Sequence, residues 1–206
     1  MDFQKAIRSV SLALLMPLVL CAEDPAWVDA LCTVTAGNAR GTGVLVSVDD
    51  GVGTLLTNHH VVGRATKVVA KWENGFKSNG TVIWKDSKAD QAVIQLAIPD
   101  GTATLPVATL DHRPRASHPV QVAGFGGTSG QLTVWNTTVN GYRASDSGRH
   151  EIEVDGNAIS GDSGGAIVFD DKLVAVLWGG PVKGRRMYAI RGCIAEFATT
   201  TCRGRT

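Results

Sequence analysis

The chain has 206 residues, 44% of them hydrophobic and 19% charged, with a formal net charge of +1. That balance excludes a disordered chain, and with no basic run there is no electrostatic reason to bind nucleic acid. The length suits one or two compact domains, and 24 glycines among short apolar runs favour an all-β architecture.

The N-terminus reads as a separate unit. Lys5 and Arg8 precede an apolar stretch over residues 10–20, and Ala22 follows. Positive, apolar, then small is the order of a secretory signal, and the run is short for a membrane span. Residues 1–22 are therefore expected to be a signal peptide cleaved after Ala22; an anchoring N-terminal helix is the plainer alternative. Cys21 offers a lipoprotein anchor, but the Leu20 before it stands where such signals place a small residue. Export permits disulfides. Cys32, Cys193 and Cys202 would remain, an odd number. A helix is expected over residues 193–200; continued to Cys202 it would hold its two cysteines about 13 Å apart, too far to bridge. A bond from Cys32 to one of them is expected, with three free thiols as the alternative.

In chain order, residues 31–48 read as two strands around Asn38, and residues 54–57 as a third that runs into Asn58-His59-His60-Val61-Val62. Strands follow at 68–72, 81–84 and 92–96, with Glu73-Asn74-Gly75 as a hairpin turn. Residues 104–118, with Pro106 and Pro114, read as the connection between halves. A second set of strands is expected at 119–124, 131–139, 151–154, 165–169, 173–178 and 187–190, with Phe125-Gly126-Gly127 as a turn. Two sets of about six short antiparallel strands suggest two small packed barrels, spanning roughly 27–103 and 119–192.

One stretch organises the rest: Ile159-Ser160-Gly161-Asp162-Ser163-Gly164-Gly165. Glycine permits φ > 0 and close backbone approach, so two N–H groups can converge beside the Ser163 hydroxyl and meet a developing oxyanion. Taken alone, this could be a glycine-rich turn with an incidental serine. A serine needs a base to become a nucleophile. His60 stands at the end of a strand and Asp90 just before an apolar run, giving the order His, Asp, Ser. A lone histidine is usually structural and an aspartate before a strand is often a turn residue; three such motifs in order are stronger.

With these motifs the chain resembles the trypsin/chymotrypsin-like serine proteases, whose chain order it shares. Leu56-Thr57-Asn58-His59-His60-Val61-Val62 is similar to the histidine motif of bacterial secreted and periplasmic members, which selects His60 over His59. Asp90-Gln91-Ala92-Val93-Ile94 resembles the aspartate motif, and Gly161-Asp162-Ser163-Gly164-Gly165 the nucleophile motif. The resemblance implies two six-stranded antiparallel barrels, a short C-terminal helix, and a serine endopeptidase. In it Ser163 attacks, His60 moves the proton, Asp90 orients His60, and the N–H groups of Gly161 and Ser163 bind the oxyanion. Leu177-Trp178-Gly179 resembles the cleft-lining segment, and Asn157 falls at the floor of the primary pocket. Arg186 falls on a pocket wall and suggests an acidic P1 residue; a solvated loop around Arg185 and Arg186 is the alternative. Metal and organic cofactors are not expected. The expected partner is a protein or peptide, with no nucleic acid and no stable membrane insertion after signal removal, and the chain is expected to be a monomer. Thr42 and Val61 stand where animal members often carry a disulfide. No Ile-Val-Gly-Gly motif occurs near Glu23, so Asp162 is expected to find another partner, an arginine being one choice. The other functional readings are a non-catalytic or latent binding module on this fold and an esterase-like or self-processing hydrolase.

Overall fold

The computed structural model describes residues 25–109, 111–144, 150–179 and 186–190, the last segment by its backbone. The signal segment, Cys193, Cys202, Arg185 and the helix expected at 193–200 lie outside the described residues.

Six strands make the first barrel: β1 (Leu31–Ala36), β2 (Ala39–Asp49), β3 (Val52–Thr57), β4 (Lys67–Lys71), β5 (Lys77–Asp86) and β6 (Gln91–Ala97). They close in the order β1-β2-β3-β6-β5-β4, with β1 pairing β4. Six more make the second: β7 (Pro119–Gly124), β8 (Thr133–Ala144), β9 (His150–Asp155), β10 (Ala166–Phe169), β11 (Lys172–Gly179) and β12 (Arg186–Ile190). Its ring runs β10-β11-β12-β9-β8-β7, which repeats the first connectivity, and β10 closes on β7. Closure leaves no free sheet edge among these strands. A single helical turn, α1 (His59–Val62), follows β3.

The turns follow from local chemistry. Asp50 and Gly51 both take positive φ (49° and 73°) between β2 and β3, the backbone a two-residue hairpin requires. Two strands run longer than their apolar cores suggest. β8 continues to Ala144 past a bulge at Val139/Gly141. β5 begins at Lys77, where Lys77 pairs Lys71 of β4 in unbroken register, and runs to Asp86 past a bulge at Val82/Trp84.

The connection between the halves is built in rather than loose. Leu105 is fully buried and its N–H bonds the Leu45 carbonyl of β2 (2.9 Å). Ala108 donates to the Leu173 carbonyl of β11 (2.9 Å), so this segment is tied to both barrels. One core extends from the first barrel into β7, β10 and β11 through Ala123, Phe125, Ala166, Val168 and Val176. The second barrel keeps its own core around Val122, Ile152, Ile167 and Leu177.

The expected disulfide from Cys32 is not borne out. Cys32 is a free thiol on β1, fully buried, and burial pushes its pKa far above the ordinary thiol value. Such a thiol packs as a small hydrophobe and is inert to exchange. Among the described residues no helix is long and apolar enough to cross a membrane.

Candidate active site

Strand pairing, not sequence proximity, brings His60 to Asp90. β3 and β6 are antiparallel in the register Leu55↔Ile94, Leu56↔Val93, Thr57↔Ala92. The chain leaving β3 therefore passes the chain entering β6. The α1 turn stops at once, because Gly63 takes φ 52° and its N–H returns to the His59 carbonyl (2.7 Å). Asp90 bonds His60 twice. Its Oδ1 accepts the His60 backbone N–H (2.9 Å) and its Oδ2 meets His60 Nδ1 (2.8 Å). Asn58, fully buried, donates from Nδ2 to the Asp90 carbonyl (3.0 Å). Asp90 itself takes a positive φ of 52°, a conformation costly for a side-chain-bearing residue and retained where surrounding bonds impose it. It is His60, and not the adjacent His59, that meets the carboxylate. Asp90 is 7% exposed, whereas His60 is open to solvent.

The Ser163 loop docks onto the first barrel. Ser163 O accepts the Thr42 N–H (2.7 Å). A Cβ on Gly41 would fall 2.6 Å from the Val61 side chain and 2.7 Å from the Ser163 carbonyl, so only glycine lets the histidine turn and the serine loop close on this strand. Gly164 has φ 89°, and a Cβ there would strike the Thr42 carbonyl and Thr57 Oγ1. The N–H groups of Gly161 and Ser163 donate to no acceptor among the described residues. The Ser160 carbonyl accepts the Gly127 N–H (2.8 Å); in a trans peptide this turns the Gly161 N–H the opposite way. Ser163 Oγ donates to the Trp178 carbonyl at 3.4 Å, a long bond, and not to His60.

Among the described residues Asp162 meets no arginine. Its buried carboxylate is held by backbone N–H groups, from Ile159 to Oδ2 (2.8 Å) and from Gly126. Gly124 makes room for it, since a Cβ there would fall 2.8 Å from Oδ1. Burial raises the Asp162 pKa above its ordinary 3.8, and the two N–H bonds oppose that without cancelling it. The native chain then holds this proton more tightly than the unfolded chain. Stability falls as pH rises from about 4 through the native pKa, and is flat above it. An Asp162→Asn variant keeps an acceptor for Ile159 and loses the titration. Urea unfolding of both proteins from pH 4 to 7 is expected to show the parent losing stability relative to the variant. Parallel curves refute this assignment.

The residues expected to contact substrate divide. Trp178 supplies the carbonyl beside Ser163, and Gly179 follows it at φ 150°. Leu177 does not face a cleft: its side chain is fully buried in the second core. It acts through backbone instead, accepting from Gly164 N–H (2.7 Å) and donating to the Gly165 carbonyl (2.8 Å). Asn157 lines a cavity of about 250 Å³ with Gly126, Trp135, Ile159 and Asp162; neither Ser163 nor Trp178 lines it. Arg186 pairs with Asp155 in the β12–β9 ladder, and its side chain lies outside the described residues. Sequence reasoning missed the work of Asn58 and Thr57, and read Thr42 only as a missing cysteine. Their one signal was position: each adjoins a motif residue or a glycine of the close approach. The described residues contain no cluster of three His, Cys, Asp or Glu able to hold a metal.

Comparison with known proteins bears on the fold and the family. A probable periplasmic serine protease of the do/HhoA-like type from Haemophilus influenzae is 30% identical over 134 residues, covering 64% of this chain and 29% of that one. The periplasmic serine endoprotease DegP of Escherichia coli K12 is 28% identical over 132 residues, covering 63% and 27%. The chain thus spans under a third of the length of these relatives. The crystal structure of the serine endoprotease from Yersinia pestis superposes with a TM-score of 0.70 at 21% identity, over 87% of this chain and 65% of that one, which shows the shared fold. The family model for a trypsin-like peptidase domain matches residues 41–176, from the glycine at the barrel contact to the strand beside Ser163, and this chain belongs to that family.

Proposed function

We propose that the chain is a serine endopeptidase that hydrolyses peptide bonds through an acyl-enzyme, with Ser163, His60 and Asp90 as its reacting constellation. The observation that carries the reading is the double bond-pair from Asp90 to His60. One oxygen holds the histidine backbone and the other holds Nδ1, so Nδ1 keeps its proton and Nε2 is left as the base. In the reaction the Ser163 Oγ–carbonyl bond forms as the Oγ proton passes to His60 Nε2. The carbonyl electron pair moves onto oxygen, which the N–H groups of Gly161 and Ser163 receive. Collapse breaks the C–N bond and Nε2 returns its proton to the leaving amine. Water then hydrolyses the ester by the same route. To begin, Ser163 Oγ turns from the Trp178 carbonyl toward His60. Arg186 directs the P1 preference toward Asp and Glu in this reading. The similar periplasmic proteases and the signal-like order of residues 1–22 support action on proteins in an exported compartment.

The Trp178 bond favours a second reading, a latent or binding form of the fold. A serine-directed phosphonate separates the two. The proposal expects one phosphonate per chain, on Ser163 by peptide mapping, with cleavage of an unfolded protein substrate. Absence of both label and cleavage supports the latent reading.

A further inference from the structure

We propose that Thr42 is a positioning residue for the Ser163 loop; the inference rests on the endopeptidase reading above. Thr42 lies on β2, fully buried, between Gly41 and Gly43. All its polar groups are engaged, and three of its four bonds cross to the second half of the chain. Its N–H donates to the Ser163 carbonyl (2.7 Å) and its Oγ1 donates to the Gly161 carbonyl (2.8 Å). The same Oγ1 accepts the Phe125 N–H (2.9 Å), and the Thr42 carbonyl accepts from Thr57 Oγ1 (2.6 Å). Thr57 ends the strand that delivers His60. One residue thus joins the histidine strand, the end of β7 and the serine loop.

The peptide planes of the loop show what this does. The plane between Ser160 and Gly161 is held by Gly127 N–H. The plane between Asp162 and Ser163 is held by Gly165 N–H on the Asp162 carbonyl (2.8 Å). Between those two lies the Gly161–Asp162 plane. Its N–H reaches the Ile159 carbonyl at 3.1 Å, within the same turn. Its carbonyl is held from the other barrel by the Thr42 hydroxyl. Each plane is rigid but turns about φ and ψ at its two ends, so a bond that pins the middle plane limits how far the planes on either side can turn. The two proposed oxyanion donors, the N–H groups of Gly161 and Ser163, flank the plane that Thr42 fixes. Valine has the same shape but removes both hydroxyl bonds, leaving the buried Gly161 carbonyl and Phe125 N–H without them. The middle plane then loses its tie to the first barrel, and the two donor planes are held only from within the second barrel.

The test compares the full chain with Thr42→Val and Thr42→Ser by kcat and KM on a fluorogenic peptide, phosphonate labelling rate and thermal melting. A misplacement of about 1 Å can cost about 10² in rate, so Thr42→Val is expected to lower kcat and the labelling rate about 10²-fold. KM is expected to stay within about twofold, and Thr42→Ser to restore kcat to within about threefold. A folded Thr42→Val protein with the parent's kcat overturns the inference, as does a Thr42→Ser protein as slow as the valine variant. If Thr42→Val does not fold, Thr42→Cys carries the test: its thiol bonds weakly, and a folded cysteine variant with the parent's kcat overturns the inference. A parent that neither cleaves nor labels overturns the endopeptidase reading, and this inference with it.

Discussion

The Ser163→Ala variant is expected to turn over a peptide substrate about 10⁶-fold more slowly than the parent, as loss of the nucleophile does in another serine protease. Without Oγ no acyl-enzyme forms, and His60 has no proton to take. A residue of catalysis over water survives, because the backbone N–H groups of Gly161 and Ser163 are still present. The variant is expected to fold as the parent does. The side chain is partly exposed, and its one hydrogen bond is the 3.4 Å contact with the Trp178 carbonyl. Kinetics on a fluorogenic peptide, with circular dichroism on the same samples, check both halves. Retention of more than about a tenth of the parent rate removes Ser163 from the mechanism.

The second largest effect belongs to Asp90→Asn, expected at about 10⁴ in kcat. Geometry predicts how. The buried carboxylate faces two groups, the His60 backbone N–H and His60 Nδ1. The backbone N–H always needs an acceptor, so the asparagine carbonyl oxygen takes that place. The amide NH₂ then faces Nδ1 and donates to it. Nδ1 becomes an acceptor, the ring proton moves to Nε2, and the imidazole presents a proton to Ser163 where it should receive one. Both hydrogen bonds survive, so folding is little affected and the loss falls on the chemistry. Parental kcat in a folded Asp90→Asn protein shows that Asp90 does not set the tautomer.

The two effects test different links. The first concerns a side chain whose proposed role follows from the resemblance of Gly161-Asp162-Ser163-Gly164-Gly165 to the family's nucleophile motif. The second concerns an aspartate whose meaning depends on a partner thirty residues away. Short alternating apolar runs and turn residues were enough to place all twelve strands, because strand period and hairpin chemistry are local properties of a chain. The lengths of β5 and β8 were less legible, since the polar residues 77–80 pair β4 without an apolar signature and a bulge carries β8 past Val139. Leu177 was misread for a related reason. A cleft-lining motif says which segment passes the site, but strand alternation decides which side chain faces it, and Leu177 faces the core.

What the sequence determined by itself is the all-β class, the order of the twelve strands, and the candidates His60, Asp90 and Ser163. Each rests on residue type and spacing along the chain, with His60 chosen over His59 by the resemblance to the family's histidine motif. Only the tertiary structure decided the β3–β6 register that joins Asp90 to His60, and the backbone N–H groups that hold Asp162. It alone turned Ser163 Oγ to the Trp178 carbonyl, left Cys32 a free buried thiol, and made Thr42 the tie between barrels. The Ser163–Trp178 and Thr42 ties depend on hydrogen bonds between segments 15 to 119 residues apart, and the free energy of such bonds is set by burial and direction, which no single stretch of sequence carries.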